Sequence, residues 1–272
     1  MKKIIALLAV LTLSFAGSAF AGSLQVKGST TVLPLMQKCA EAFMKANPGV
    51  SISISGGGSS NGAKALIDGT TDIAMMSRDM KSQEIQRATD NGRKPVQFVV
   101  SYDCIVPVVH PGNKVNNLTQ MQLLGIYTGK ITNWKELGGE DGKIVVISRD
   151  TSSGTYDCWK HKIMRADGNK NRVFAGALLQ ASNGAVAQAV SKNKLAIGYV
   201  GLGYLNSELQ AVSVDGIKAN AANALNKTYP ISRGLNLYTP GQPSGEAKAL
   251  IDFMLSPAGQ KLSEEVGFVP LH

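Results

Sequence analysis

The chain has 272 residues with 28 Lys and Arg against 19 Asp and Glu, a formal charge of +9, and 44% hydrophobic side chains. The basic residues are scattered and only 6% of residues are aromatic, which argues against a nucleic-acid-binding surface and favours long-range steering of small anions. Three cysteines are too few for a disulfide scaffold, so the fold needs a hydrophobic core.

The first residues, "MKKIIALLAVLTLSFAGSAFAG", combine two lysines, an apolar run and a small-residue site at Ala19-Phe20-Ala21. This predicts a cleavable signal peptide over residues 1–21, with cleavage after Ala21. The apolar run is too short for a membrane anchor, and no cysteine stands at the cleavage point to carry a lipid. A soluble, periplasmic protein is expected. Losing Lys2 and Lys3 lowers the formal charge to +7.

"SLQVKGST" reads as a strand ending at Gly28, followed by a helix with Leu35, Met36, Cys39 and Phe43 on one face and a stop at Asn47-Pro48-Gly49. "VSISIS" is a second strand, "GGGSSNGA" a break and "AKALIDGT" a helix. "DIAMMS" is a third strand, and "RDMKSQEIQRATDNG" a solvated helix ending at Gly92. "PVQFVVSYDCIVPVVHPGN" is a long β-rich stretch. "LTQMQLLGIYTGK" then reads as a helix, "ITNWKELGG" as a turn with a short helix, and "KIVVISRD" as a strand. "CWKHKIM" begins a further helix. "AIGYVGLGYL" and "LQAVSVDG" read as strands, "YPISRGLNLYT" as a second long β-rich stretch, and "SGEAKALIDFMLSPAGQKLSEEVG" as a terminal helix or helix pair.

Alternating strands and helices predict βαβ units and an α/β architecture in which each of two lobes is a mixed sheet flanked by helices. The two long strands are the expected crossovers. Lobe 1 would be discontinuous, residues 22–108 and 232–272, and lobe 2 would span 109–231. Hinges are expected around Ser101–Val109 and Ile231–Leu237, with the ligand cleft between the lobes.

Three strand-to-helix turns share one composition: "GSTT" at 28–31, "GGGSSNG" at 56–62 and "TSSGT" at 151–155. Helix N-termini carry unpartnered N–H groups and a positive dipole end, glycine admits close approach, and hydroxyls add neutral donors. Each turn alone is an ordinary cap; together they predict an oxyanion site, with Arg149 supplying a full charge and a planar fork. Three other patterns point to different chemistry and carry less. Gly58-Ser59-Ser60-Asn61-Gly62 fits the G-x-S-x-G elbow of an extracytoplasmic serine esterase or phosphatase, but His110, His161 and His272 stand in no recognisable triad context. Cys158 and His161 form a C-x-x-H fragment without a second ligand pair, so no metal is expected. The Met75-Met76 pair reads as core. Cys39, Cys104 and Cys158 permit one internal disulfide and leave one thiol over, without fixing the pair.

In these segments the sequence resembles the periplasmic phosphate-binding proteins that feed Pst-type ABC transporters, especially the shorter bacterial form. The resemblance rests on "GSTTVLPL", "GGGSSNGAKALIDGTTDIAMMSR", "YTGKITNWKELGG", "SRDTSSGTY", "AIGYVG" and "YPISRGLNLYT", and covers nearly the whole mature chain. It implies the two-lobed type II periplasmic binding protein fold, a protein without catalysis, cofactor or metal that acts as a monomer, and inorganic phosphate and an inner-membrane permease as partners. It places the ligand against Thr30, Thr31, Ser59 and Ser77 from one lobe and Arg149, Ser153, Gly154 and Thr155 from the other. Two positions depart from the long members of the family. Ser77 replaces an aspartate that accepts a phosphate proton and repels sulfate, and Thr151 replaces an often acidic residue beside the arginine. A neutral Ser77 weakens discrimination against sulfate, molybdate or tungstate, the alternative ligands, unless Asp72 or Asp79 stands in.

Overall fold

The structure, a computed structural model, describes residues 23–272; the predicted leader and its cleavage after Ala21 lie outside the described residues. The chain opens with β1 (Ser23–Gly28), α1 (Leu33–Ala46), β2 (Ser51–Ser55), α2 (Ser59–Asp68), β3 (Ile73–Met76) and α3 (Ser82–Asp90). The long β4 (Val96–Val109) follows, then β5 (Asn117–Leu118) and α4 (Gln120–Tyr127). Next come β6 (Val145–Arg149), α5 (Gly154–Lys162), β7 (Leu178–Gln180), α6 (Asn183–Ser191) and β8 (Ala196–Gly201). The last part holds β9 (Gln210–Ala211), β10 (Ser213–Val214), α7 (Ala221–Leu225), β11 (Ser232–Thr239), α8 (Gly245–Leu255) and α9 (Pro257–Glu265). Among the described residues, no helix is long and apolar enough to cross a membrane.

The strands join in the order β2-β1-β3-β11-β4-β8-β6-β7, with β9 also on β4. In the first half β1, β2 and β3 run parallel, and β11 is antiparallel to both β3 and β4. In the second half β6, β7 and β8 are parallel. β4 connects the halves: Val96–Cys104 pair with β11 and Ile105–Val109 with β8. A strand of ordinary length serves one sheet; this one has the length to serve two.

Local sequence explains most of these elements. Pro34 stands in the first turn of α1, where its missing N–H costs nothing, and Leu35, Met36, Cys39, Ala40 and Phe43 form its buried face. β3, Ile-Ala-Met-Met, is buried at every position, as a strand covered on both faces requires. Two helices start earlier than the apolar spacing indicated, α2 at Ser59 and α5 at Gly154, because their first turns are small and polar. "LQAVSVDG" is divided rather than one strand: Val212 donates to Pro107, β9 pairs with β4, and β10 with β5. The terminal segment is a helix pair, broken where the Ser256 hydroxyl caps α9 ahead of Pro257. All three cysteines are free thiols, and burial pushes those of Cys39 and Cys104 up to about 12, so both are inert at neutral pH.

An aromatic cluster in the second half bears directly on the cleft. Trp159 of α5 stacks on Tyr199 of β8 with centroids 4.2 Å apart and planes 7° apart, and Tyr127 tilts against both. The Tyr199 hydroxyl accepts the Arg149 N–H at 3.2 Å, so the packing of this cluster fixes the end of β6.

Candidate anion-binding site

The first-half walls are two turns set against β3. Gly28 has φ +135°, and a Cβ there would lie 2.2 Å from the Met75 carbonyl oxygen, so no other residue fits. The Ser29 hydroxyl accepts the N–H groups of Thr31 and Val32, which leaves the Thr30 and Thr31 side chains directed elsewhere. Gly57 and Gly58 both take positive φ, and the Gly58 N–H reaches the Gly28 carbonyl at 2.9 Å, drawing the second turn against the first. Ser59 then opens α2, and its hydroxyl accepts the Ser77 N–H at 3.1 Å.

The opposite wall is the end of β6 and the start of α5. Ser153 is the N-cap: its hydroxyl accepts the Tyr156 N–H at 3.1 Å, and its own N–H is held by the Asp150 carbonyl. Ser153 therefore orients the helix, and its hydroxyl, which accepts this one bond, keeps its own proton to donate. Gly154 and Thr155, as first-turn residues, have N–H groups without intrahelical partners. Ser153→Ala is expected to lower the unfolding free energy by about 1 kcal/mol in urea titrations, the usual cost of a lost cap. Anion affinity is expected to fall as well, by roughly two- to tenfold, the usual worth of one neutral hydroxyl donor.

The two walls meet. Thr31 and Thr155 share a hydrogen bond of 2.8 Å between hydroxyls, and the Ser60 N–H reaches the Ser152 carbonyl at 3.0 Å. Ser152 Oγ donates back to the Gly57 carbonyl at 3.0 Å. A Cβ on Gly154 would lie 2.2 Å from Ser59 Oγ and 2.7 Å from Ser77 Oγ, so only glycine permits this approach. Thr30, Thr31, Ser59, Ser77, Arg149, Gly154 and Thr155 thus converge on one buried point.

Arg149 enters it at 1% exposure. Its Nε donates to the Gln180 carbonyl at 2.9 Å, and one terminal nitrogen donates to Ala181 O at 3.0 Å and Thr30 Oγ1 at 3.3 Å. The other terminal nitrogen, Nη1, is buried and has no partner among the described residues. Burial lowers the Arg149 pKa, opposed by Tyr199 and Asp150; a guanidinium stays charged through such a shift.

Four residues that sequence reasoning missed complete the point. Asn183, at the start of α6, donates to Thr30 Oγ1 at 3.1 Å and Thr31 Oγ1 at 3.0 Å. The Tyr204 hydroxyl donates to the Thr30 carbonyl. Arg233 of β11 donates to the Thr31 and Thr155 hydroxyls at 3.3 and 3.2 Å and to the Ser77 carbonyl at 3.0 Å. Asp103, its register partner on β4, accepts from Arg233 at 3.0 and 2.7 Å and from the Leu202 N–H at 2.8 Å. Burial pushes the Asp103 carboxyl up, opposed by Arg233. Donors on both oxygens leave a carboxyl proton no acceptor, which keeps the group ionised. Two guanidiniums and one carboxylate leave one net positive charge, enclosed by hydroxyls and helix N-termini: a receptor for a small anion with several oxygen acceptors.

The carboxylates proposed to stand in at Ser77 are hydrogen-bonded to other residues. Asp72 accepts the Gln25 N–H at 2.7 Å on the far part of β1. Asp79 lines the same groove as Ser77, and its carboxylate accepts from Gln97 and Asn236 of β4 and β11. The nearby acid is Asp103, committed to Arg233. Thr151 is exposed, and Asp150 accepts from Ser152 rather than from Arg149. The elbow serine of the hydrolase reading, Ser60, accepts from Arg78 at 3.0 Å, a donor that cannot serve as a base. Among the described residues, no three His, Cys, Asp or Glu are grouped to hold a metal.

The chain is similar to known proteins in sequence and in fold. Residues 14–258 match the family model of the PBP superfamily domain. The phosphate-binding protein PstS of Bacillus subtilis is 32% identical over 252 residues, covering 92% of this chain and 81% of that protein. PstS of Borreliella burgdorferi is 31% identical, covering 90% and 88%. A crystal structure of a putative phosphate ABC transporter substrate-binding protein from Clostridium perfringens, with bound phosphate, superimposes with a TM-score of 0.84 at 37% identity. The match covers 92% of this chain and 100% of that one. An ABC-type phosphate transport receptor from Vibrio cholerae gives 0.72 at 32% identity, covering 90% and 99%.

Proposed function

The chain belongs to the PBP superfamily and, within it, to the PstS phosphate-binding proteins, and from that premise we propose that it captures inorganic phosphate and delivers it to an ABC permease. The observation that carries this reading is Arg149, buried with an unpartnered Nη1 among hydroxyls from both halves of the sheet. A tetrahedral oxyanion has the acceptors this arrangement lacks. Binding exchanges its water shell for fixed N–H and O–H donors, and no bond is made or broken.

The two halves are two lobes in this reading, 22–108 with 232–272 and 109–231, hinged on β4 and β11. Ligand favours closure because only the closed form presents both sets of donors. The protein acts as a monomer in the periplasm, exported by its leader. The ligand set is Thr30, Thr31, Ser59, Ser77, Arg149, Ser153, Gly154 and Thr155, with Ser153 also capping the helix that presents the last two. Asn183 and Arg233 hold the threonine hydroxyls in place.

Competition calorimetry with phosphate, arsenate, sulfate and molybdate tests ligand identity. Phosphate is expected to bind tightest, with sulfate competing measurably, because the amphoteric hydroxyls of Ser77 and Ser59 demand no ligand proton. Ser77→Asp is expected to widen the phosphate-to-sulfate ratio by about tenfold or more, through a charge that repels sulfate. Absence of phosphate binding at millimolar concentration would overturn the assignment.

A further inference from the structure

We propose that Asp157 is a ligand-retaining residue: with Arg78 and Lys81 it forms a charged latch across the rim of the cleft and sets how long the bound anion stays. The proposal rests on the phosphate reading for its ligand, and on the following geometry for the latch itself.

Asp157 lies in the first turn of α5, three positions beyond Gly154. Arg78 directly follows Ser77. Each latch residue is therefore rigidly tied to an anion-facing residue of its own half. Asp157 Oδ2 is 2.9 Å from Arg78 Nε and 2.8 Å from Lys81 Nζ. The Arg78 contact lies outside hydrogen-bond alignment, so it is a charge contact. The Arg78 and Asp157 side chains are only 8% and 11% exposed, which limits solvent screening; Lys81 is half exposed and contributes less.

Arg78 is positioned without help from the second half. Glu84 accepts from both of its terminal nitrogens at 2.8 Å, and the Ser60 hydroxyl and Asp79 carbonyl accept at 3.0 and 2.8 Å. Glu84 is itself held by the Lys81 N–H at 2.9 Å. When the halves separate, Arg78 stays in place, and the two cations that faced Asp157, Arg78 and Lys81, keep Glu84 as their one directly paired carboxylate among the described residues. The open mouth is then positive and attracts an anion. When they close, Asp157 neutralises that excess. A groove of about 430 Å³, lined in part by Ser77, Lys81, His161, Lys162 and Arg233, runs from the latch to the back of the anion point. The latch therefore acts late: cations draw the anion in, and the carboxylate arrives only on closure.

Stopped-flow measurement of phosphate association and dissociation on the intact protein tests this. Asp157→Asn is expected to raise the dissociation rate constant about tenfold at low salt, within the usual range of coupling between coupled equilibria, with association changed less than about threefold. Asp157→Glu should recover most of the loss. Lys81→Met should give a smaller increase and, combined with Asp157→Asn, less than the product of the two effects. High salt should narrow the gap between wild type and Asp157→Asn. Small-angle scattering of the anion-free protein reads the latch without phosphate, and Asp157→Asn should shift it towards the more extended form. Unchanged dissociation and scattering, or multiplicative effects of the two substitutions, overturn the latch. A wild type that ignores phosphate while its scattering still responds to Asp157→Asn overturns the ligand reading and leaves the latch standing.

Discussion

Replacing Arg149 by alanine is expected to weaken phosphate binding by about 2–5 kcal/mol, roughly 30- to 5,000-fold, as truncating a buried, hydrogen-bonded charge does. Three losses add in one direction. Of the two guanidiniums at the site, the one not matched by a carboxylate disappears. The Nη1 that has no partner among the described residues goes with it. The Gln180 and Ala181 carbonyls lose their donor, which loosens the loop leading to Asn183. Arg149→Lys separates these terms, since it keeps the charge but offers no planar fork; it should recover part of the affinity and none of the geometry. Calorimetry on the two variants decides the matter, and an alanine variant with wild-type affinity would remove Arg149 from the site.

Asp103→Ala is expected to lower the unfolding free energy by about 3–5 kcal/mol, because it strands the Arg233 guanidinium in a buried place with no counter-charge. Arg233 is 5% exposed and Asp103 fully buried, so water cannot take over the pairing. The result has a second part that distinguishes it from ordinary core damage. Phosphate itself can neutralise the stranded cation, so the thermal midpoint of the variant should rise more steeply with phosphate concentration than that of wild type. A variant whose midpoint responds to phosphate as wild type does would show that Arg233 is not felt by the anion.

The sequence carried the parts of this picture that repeat a local chemical pattern. The β-branched and apolar runs at 23–28, 73–76 and 96–109 announce strands because burial on one or both faces demands them. The three Gly-Ser-Thr turns announce helix N-termini because caps and close approach demand those residues. It was less informative where function depends on residues far apart in the chain. Arg233 and Asp103 are single charges inside apolar strands, which is the available sign, since a buried charge needs a partner. Nothing local tells that β4 and β11 are neighbours in register. Asn183 had a clearer sign: "SNGA" at 182–185 repeats "SNGA" at 60–63, the opening of α2. The segment 210–214 reads as strand, but its division into two short strands does not show in the sequence, since two-residue pairings are dictated by β4 and β5.

The sheet order also says when the molecule can exist. β3 is completed on its open side only by β11, and β4 likewise, so the half made first remains with an unpaired edge until nearly the last residues are synthesised. Synthesis runs from one end, and long-range pairing waits on loop closure. The second half, whose strands β6, β7 and β8 are close neighbours in the chain, has no such delay. The C-terminal strand is therefore the keystone of an arch: the piece set last, without which the first-laid side cannot bear load, and which brings Arg233 to the anion point at the moment the arch closes.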